Sequence, residues 1–153
     1  MHLNLPKTNL QLHTDSFGNR TVFDRLRKKY VALTPEEWVR QNFVEYLINN
    51  KGFPAGLMAN EIAITLNGTR RRCDTVIMDH FGKPTAIIEY KAPHVAITQT
   101  VFDQIVRYNM VLCVKCLIVS NGKQHYCCLI DYSDKPSYRF IPEVPDYETI
   151  CHL

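Results

Sequence analysis

The chain has 153 residues, of which 46% are apolar, 22% charged and 10% aromatic, and 18 basic against 15 acidic side chains leave a net charge of +3. That composition suits a chain that buries roughly two thirds of its surface around one core, and it excludes disordered, collagen-like and low-complexity chains. No apolar run approaches the roughly 20 residues of a membrane span, and Met1-His2-Leu3-Asn4-Leu5-Pro6 has neither a basic lead nor a long apolar stretch, so a cytoplasmic protein is expected.

Residues 1 to about 30 carry few periodic apolar positions, and Asp15-Ser16-Phe17-Gly18-Asn19 is a turn signal, so an extended arm or hairpin packed on the body is expected there. Thr34 is a good N-cap, Pro35 suits the first helical position, and Glu37 stands three residues after the cap, which predicts a capping box. Val39, Phe43 and Leu47, flanked by Val44 and Tyr46, give this helix a core-facing stripe. Asn49, Asn50 and Gly52 stop it, and Pro54 prevents its resumption.

Strands are predicted at 61–66 and 71–78, joined by Asn67-Gly68, the strongest short hairpin signal. A polar turn from Asp79 to Pro84 leads into a third strand at 85–91, ended by Pro93. After Thr98, Val101, Phe102, Ile105, Val106 and Leu112 recur at helical spacing, and strands at 116–119 and 124–131 follow, separated by Asn121-Gly122. A helix between two strands usually returns the chain to a parallel neighbour. The expected fold is therefore α/β (α+β): one mixed sheet in the order helix, three-strand meander, helix, strand, strand, with helices against it. No repeat or linker interrupts the chain, so one domain over 1–153 is expected, with its core at 34–131.

A net charge this small names no partner, but its distribution is uneven. Arg25, Arg27, Lys28 and Lys29 form one basic run and Arg70, Arg71 and Arg72 another; each reads as a solvated face or as phosphate contacts. Of six cysteines, Cys113 and Cys116 are spaced as CxxC at the entry to an apolar run, where residues three apart point to opposite faces of a strand. Cys127 and Cys128 are adjacent and diverge for the same reason. Reduced, buried thiols are expected over a zinc or thiol centre.

Asp74 lies in the second meander strand, while Glu89 and Lys91 lie two apart on the third and share one face. A hairpin symmetric about the turn between Phe81 and Gly82 places Asp74 opposite Glu89, with Cβ atoms roughly 5 Å apart. Two facing carboxylates repel unless positive charge lies between them. Lys91 supplies one charge, and a divalent cation such as Mg²⁺, which prefers oxygen ligands, would supply the rest. The alternative reading of the same spacing is a salt bridge of Lys91 on a solvated sheet face.

Asp74 followed by Glu89-Tyr90-Lys91 between apolar strands resembles the D…(D/E)xK signature of the PD-(D/E)xK nuclease superfamily, whose restriction-endonuclease-like core has the same element order. More narrowly, 34–131 resembles the N-terminal nuclease domain of type I restriction enzyme R subunits. The similarity runs through Thr34-Pro35-Glu36-Glu37-Trp38-Val39-Arg40-Gln41, Arg72-Cys73-Asp74-Thr75-Val76, Ile88-Glu89-Tyr90-Lys91-Ala92-Pro93, the QxxxY motif Gln104 to Tyr108, and Ser120-Asn121-Gly122.

The resemblance implies that Asp74 and Glu89 are metal ligands and that Lys91 orients or deprotonates the attacking water. It implies a further contribution from the first helix, where Glu37 matches best and Gln41 lies one turn on, and contact of Gln104 and Tyr108 with the site or the DNA backbone. Arg70, Arg71, Arg72, Lys28 and Lys29 would grip phosphates. The expected function is a Mg²⁺-dependent DNA endonuclease or exonuclease, with Mn²⁺ as a substitute ion, acting beside a restriction-modification or helicase chain and compatible with a homodimer. A noncatalytic nucleic-acid-binding or partner module on the same fold is the alternative. The sequence has no GxxxxGK[ST] phosphate loop, so no motor accompanies the nuclease signature within it.

Overall fold

The computed structural model describes residues 2–66 and 68–153. The N-terminal stretch, expected as an arm or hairpin, forms a three-stranded antiparallel sheet of β1 (Leu12–Thr14), β2 (Arg20–Asp24) and β3 (Lys29–Ala32). Short-range side-chain caps close its turns. Asp15 Oδ1 accepts the Phe17 and Asn19 amides at 2.9 Å, and Asp24 Oδ1 accepts those of Leu26 and Arg27 at 2.7 and 3.0 Å.

Helix α1 (Pro35–Lys51) begins where the N-cap predicts, but its capping box is half built. Thr34 Oγ1 accepts the Glu37 amide at 3.0 Å, whereas the Thr34 amide donates to Ala32 O at 3.1 Å. The Glu37 carboxylate turns instead to Arg27 of the β2–β3 turn and to Arg40 one turn along the same helix. Strands β4 (Met58–Leu66), β5 (Thr69–Met78) and β6 (Pro84–Tyr90) form the expected meander, β4 starting three residues early behind a 3₁₀ turn at Ala55–Leu57. Asn67 of the expected Asn67-Gly68 turn lies outside the described residues. The β5–β6 turn repeats the chemistry of the first: Asp79 Oδ1 accepts the Phe81 and Lys83 amides at 2.9 Å, and Gly82 supplies the left-handed φ of +78°.

Helix α2 (Gln99–Met110), capped by Thr98 Oγ1 on the Val101 amide at 3.2 Å, carries the chain to β7 (Cys116–Ser120), parallel to β6 as the crossover predicts. Antiparallel strands β8 (His125–Asp131) and β9 (Ser137–Ile141) complete a six-stranded mixed sheet in the order β4 to β9, and α3 (Tyr147–Cys151) follows. Strand β9 and helix α3 have no counterpart among the expected elements. Five-residue segments carry too little periodicity, and Ser137, Arg139 and Phe140 are exposed. Tertiary contacts secure α3, whose Tyr147 hydroxyl donates to Met78 O at 2.8 Å.

Strand alternation splits the core into two layers. On one face Val39, Phe43 and Leu47 of α1 pack with Ile77, Ile88, Tyr90, Ile118 and Cys127, and on the other Phe102 and Val106 of α2 pack with Val76, Ile87, Leu117, Val119 and Cys128. Cys127 and Cys128 thus face opposite layers. Cys113, expected as a buried thiol on the strand, is instead exposed in the turn before β7, whereas Cys116 is fully buried with Cys127 Sγ as its neighbour at 3.5 Å. No helix among the described residues is long and apolar enough to cross a membrane.

Candidate active site

Strands β5 and β6 pair as Thr75 with Ile88, Val76 with Ile87 and Ile77 with Ala86, so one further step brings Asp74 level with Glu89. At that step a carboxylate takes the place of a strand carbonyl: Asp74 Oδ2 accepts the Tyr90 amide at 2.9 Å. Glu89 points to the α2 side. Burial first, then the Asp74 charge and a hydrogen bond with that carboxyl, push the proton affinity of Glu89 well above the ordinary carboxylate range, while Lys91 and the Asn109 amide act to lower it. The thiol of Cys73 registers the same field: burial, then Glu89 and Asp74, push it up to about 12.

Among the described residues Glu89 Oε1 is buried without a hydrogen-bond partner, and so is Asn109 Oδ1. Asn109 is fully buried on α2 and gives its Nδ2 to Ile105 O at 2.9 Å. It went unflagged in the sequence, although it stands on the apolar stripe of Phe102, Ile105 and Val106, where a polar residue is a signal. Lys91, half-buried just past β6, anchors its amide on Ser120 O at 2.9 Å. An orphaned buried carboxylate oxygen, facing a second carboxylate and raised in proton affinity, fits a hard cation that accepts oxygen ligands.

Glu37 is not brought to this pair. Among the described residues no three His, Cys, Asp or Glu side chains gather around one ion-sized position. The Glu37 carboxylate accepts from Arg27 Nη2 at 2.7 Å and Gln41 Nε2 at 3.0 Å, and lies 3.1 Å from Arg40 Nε. Arg40, also unflagged in the sequence, is 6% exposed and stands between Glu37 and the site. Its Nη1 donates to Asp74 O at 2.9 Å and its Nη2 to Glu61 Oε1 at 2.6 Å.

Arg71 and Tyr108, expected separately, meet: the guanidinium lies 4.8 Å from the ring centroid, and Tyr108 is 44% exposed. Gln104 is exposed one turn earlier on α2. Arg70 is exposed, whereas Arg72 is tied to Glu61 Oε2 at 2.7 Å. The first basic run divides similarly. Lys28 and Lys29 face solvent at the β2–β3 turn, while Arg25 pairs with Glu45 at 3.2 Å and Arg27 joins Asp24 to Glu37. Two clefts, of about 570 and 510 Å³, are lined by other residues, among them Tyr46 and Lys51 in one and Tyr132 and Arg139 in the other.

A six-stranded mixed sheet between α1 and α2, with an Asp and an ExK motif facing each other on neighbouring strands, is a restriction-endonuclease-like fold. Residues 35–145 match the family described as the type I restriction enzyme R protein N terminus (HSDR_N), and the chain belongs to that family. No curated protein matches it.

Proposed function

We propose that this chain is a Mg²⁺-dependent DNA endonuclease or exonuclease, with Asp74 and Glu89 holding the ion and Lys91 handling the attacking water. The observation that carries this reading is the buried, unpartnered Glu89 Oε1 set against Asp74, two residues before Lys91 in the chain. A divalent cation held by these oxygens supplies neutralisation of the charge that grows on the scissile phosphate, and Mn²⁺, with similar oxygen preference, would substitute.

The remaining chemistry belongs to side chains. The Lys91 ammonium donates hydrogen bonds to the incoming water and to the phosphate oxygen on which negative charge accumulates. Arg40 holds the Asp74 carbonyl and so keeps that carboxylate opposite Glu89; Glu37 and Gln41 contribute through the same cluster. Arg70, Arg71 and Tyr108, with Gln104 beside them, meet the flanking phosphates, and Lys28 and Lys29 add a second contact. DNA and other chains of a restriction-modification system are the partners under this reading, in the cytoplasm.

The test is cleavage of plasmid DNA. Wild-type protein nicks or linearises it with Mg²⁺, and Lys91→Ala loses at least about 100-fold in rate while keeping its DNA affinity. Wild-type protein that binds DNA in a salt-dependent way but leaves single-stranded, double-stranded and branched substrates intact, with either ion, selects the noncatalytic binding module instead.

A further inference from the structure

A line of buried hydrogen bonds runs from the N-terminal sheet into the candidate site. Asp24 of β2 and Thr75 of β5 are fully buried, and Asn60 of β4 and Tyr90 of β6 are 6% and 3% exposed. Asn60 Nδ2 donates to Asp24 Oδ2 at 2.9 Å, Thr75 Oγ1 donates to Asn60 Oδ1 at 2.7 Å, and the Tyr90 hydroxyl lies 2.9 Å from Thr75 Oγ1. Chemistry dictates the direction of every proton. A carboxylate only accepts, so Asn60 turns its nitrogen to Asp24 and its oxygen to Thr75; the single Thr75 proton goes to Asn60, so Tyr90 donates to Thr75. All donors therefore point toward Asp24, whose charge Arg27 balances, and bonds aligned in this way strengthen one another.

Tyr90 is the middle residue of the ExK motif. Neighbouring residues of a strand face opposite sides, so its ring lies in the α1 layer, 6.0 Å from Phe43 and 5.7 Å from the Arg40 guanidinium, while Glu89 faces α2. Its amide is held by Asp74 and its hydroxyl by Thr75, so the end of β6 cannot roll about its axis without breaking one bond or the other. We infer that Tyr90 is a positioning residue: the chain Asp24, Asn60, Thr75, Tyr90 locks the roll of β6 and so sets the direction in which Glu89 and Lys91 are presented. What those two side chains do rests on the nuclease reading above; the lock itself is a property of the fold.

The experiment compares the full chain with Tyr90→Phe, Thr75→Val and Thr75→Ser. Hydrogen exchange at the Tyr90 amide, Mn²⁺ affinity by calorimetry, and kcat and KM on plasmid DNA are measured at a temperature where every variant is folded. The lock predicts that Tyr90→Phe and Thr75→Val speed exchange at Tyr90 and lower both Mn²⁺ affinity and kcat by roughly three- to tenfold each, the value of one hydrogen bond. KM for DNA is unchanged, and Thr75→Ser behaves as wild type. Should Thr75→Val fail to fold, Tyr90→Phe, which removes one oxygen, carries the test alone. Variants that melt earlier yet keep wild-type Tyr90 exchange, Mn²⁺ affinity and kcat overturn the inference and leave the four groups as mutually satisfied core polars. Wild-type protein that neither binds Mn²⁺ nor cleaves defeats the nuclease reading; in that case faster Tyr90 exchange still supports the lock, and unchanged exchange overturns it.

Discussion

Arg71 of β5 lies over the ring of Tyr108 of α2, and its Nε also donates to the Tyr108 carbonyl at 3.3 Å. The contact pins the end of α2 that carries buried Asn109 against the strand that carries Asp74, and it holds a cation at the edge of the candidate site. Arg71→Ala is expected to weaken binding of unrelated DNA sequences equally and to reduce the slope of log affinity against log salt by about one. Fluorescence anisotropy at several salt concentrations reads that slope, and an unchanged slope would remove Arg71 from the interface.

Glu89 couples the site to stability. Its carboxyl is raised from an ordinary value of 4.5 by burial and then by Asp74. A group raised in the folded state stabilises the fold below its unfolded value, and that contribution is lost as pH rises toward the folded one. Without a divalent ion, the protein at neutral pH therefore carries a cost at this position. Glu89→Gln is expected to abolish cleavage but to raise the melting temperature in chelator at neutral pH, the gain vanishing at acid pH below 4.5. A Gln variant that melts earlier than wild type at neutral pH contradicts this account.

Asp24 behaves in the opposite sense. Burial opposes its ionisation, but hydrogen bonds from Asn60 and from the Arg27 amide and guanidinium outweigh burial and hold its carboxyl below the ordinary 3.8. A depressed group stabilises the fold above its unfolded value, and the contribution is lost as pH falls through the folded value. Asp24→Asn leaves the Arg27 charge short of a partner. With Glu37 still paired to Arg27, the substitution is expected to cost about 1.5–3 kcal/mol at neutral pH and to flatten the acid limb of the stability profile, measured by urea unfolding across pH.

Gly122 follows β7 with φ at +85°, and a Cβ there would fall 2.6 Å from Leu3 Cδ2 and 3.2 Å from Val39 Cγ2. Its carbonyl also accepts the Asn4 amide at 2.8 Å, tying the N-terminal segment to the body. Gly122→Ala combines backbone strain with a collision and is expected to destabilise by more than about 1 kcal/mol. Limited proteolysis of the segment before β1, followed with thermal melting, checks it.

The facing of Asp74 and Glu89 is as expected, but the symmetric turn expected to produce it is not what forms: the turn pairs Met78 with Pro84, and a register shift between Ile77 and Met78 adds the step that brings Ile77 level with Ala86 and Asp74 level with Glu89. The role of Glu37 was not legible in the sequence. Its local signal, three residues after an N-cap, predicts a capping bond, but Arg27 and Arg40 offer charge-assisted bonds that a neutral amide cannot match. The basic run from Arg25 to Lys29 looks uniform in sequence, yet the β2–β3 turn directs Arg27 inward and leaves Lys28 and Lys29 in solvent. Arg40 could be found only in the fold, since its partners Glu61 and Asp74 lie 21 and 34 residues away.

Taken by itself, the sequence determined what few residues can decide locally: the cap at Thr34, the meander, the parallel return after α2 and the divergence of Cys127 from Cys128. Such features depend on backbone geometry within one turn or one hairpin. Tertiary structure alone decided which polar groups share a buried volume. It left Glu89 Oε1 unpartnered, placed Arg40 between Glu37 and Asp74, and aligned Asp24, Asn60, Thr75 and Tyr90 into one chain of donors. The reason is that proton affinity and hydrogen-bond satisfaction depend on burial and on every charge nearby, and those neighbours come from four or five segments that only the folded sheet brings together.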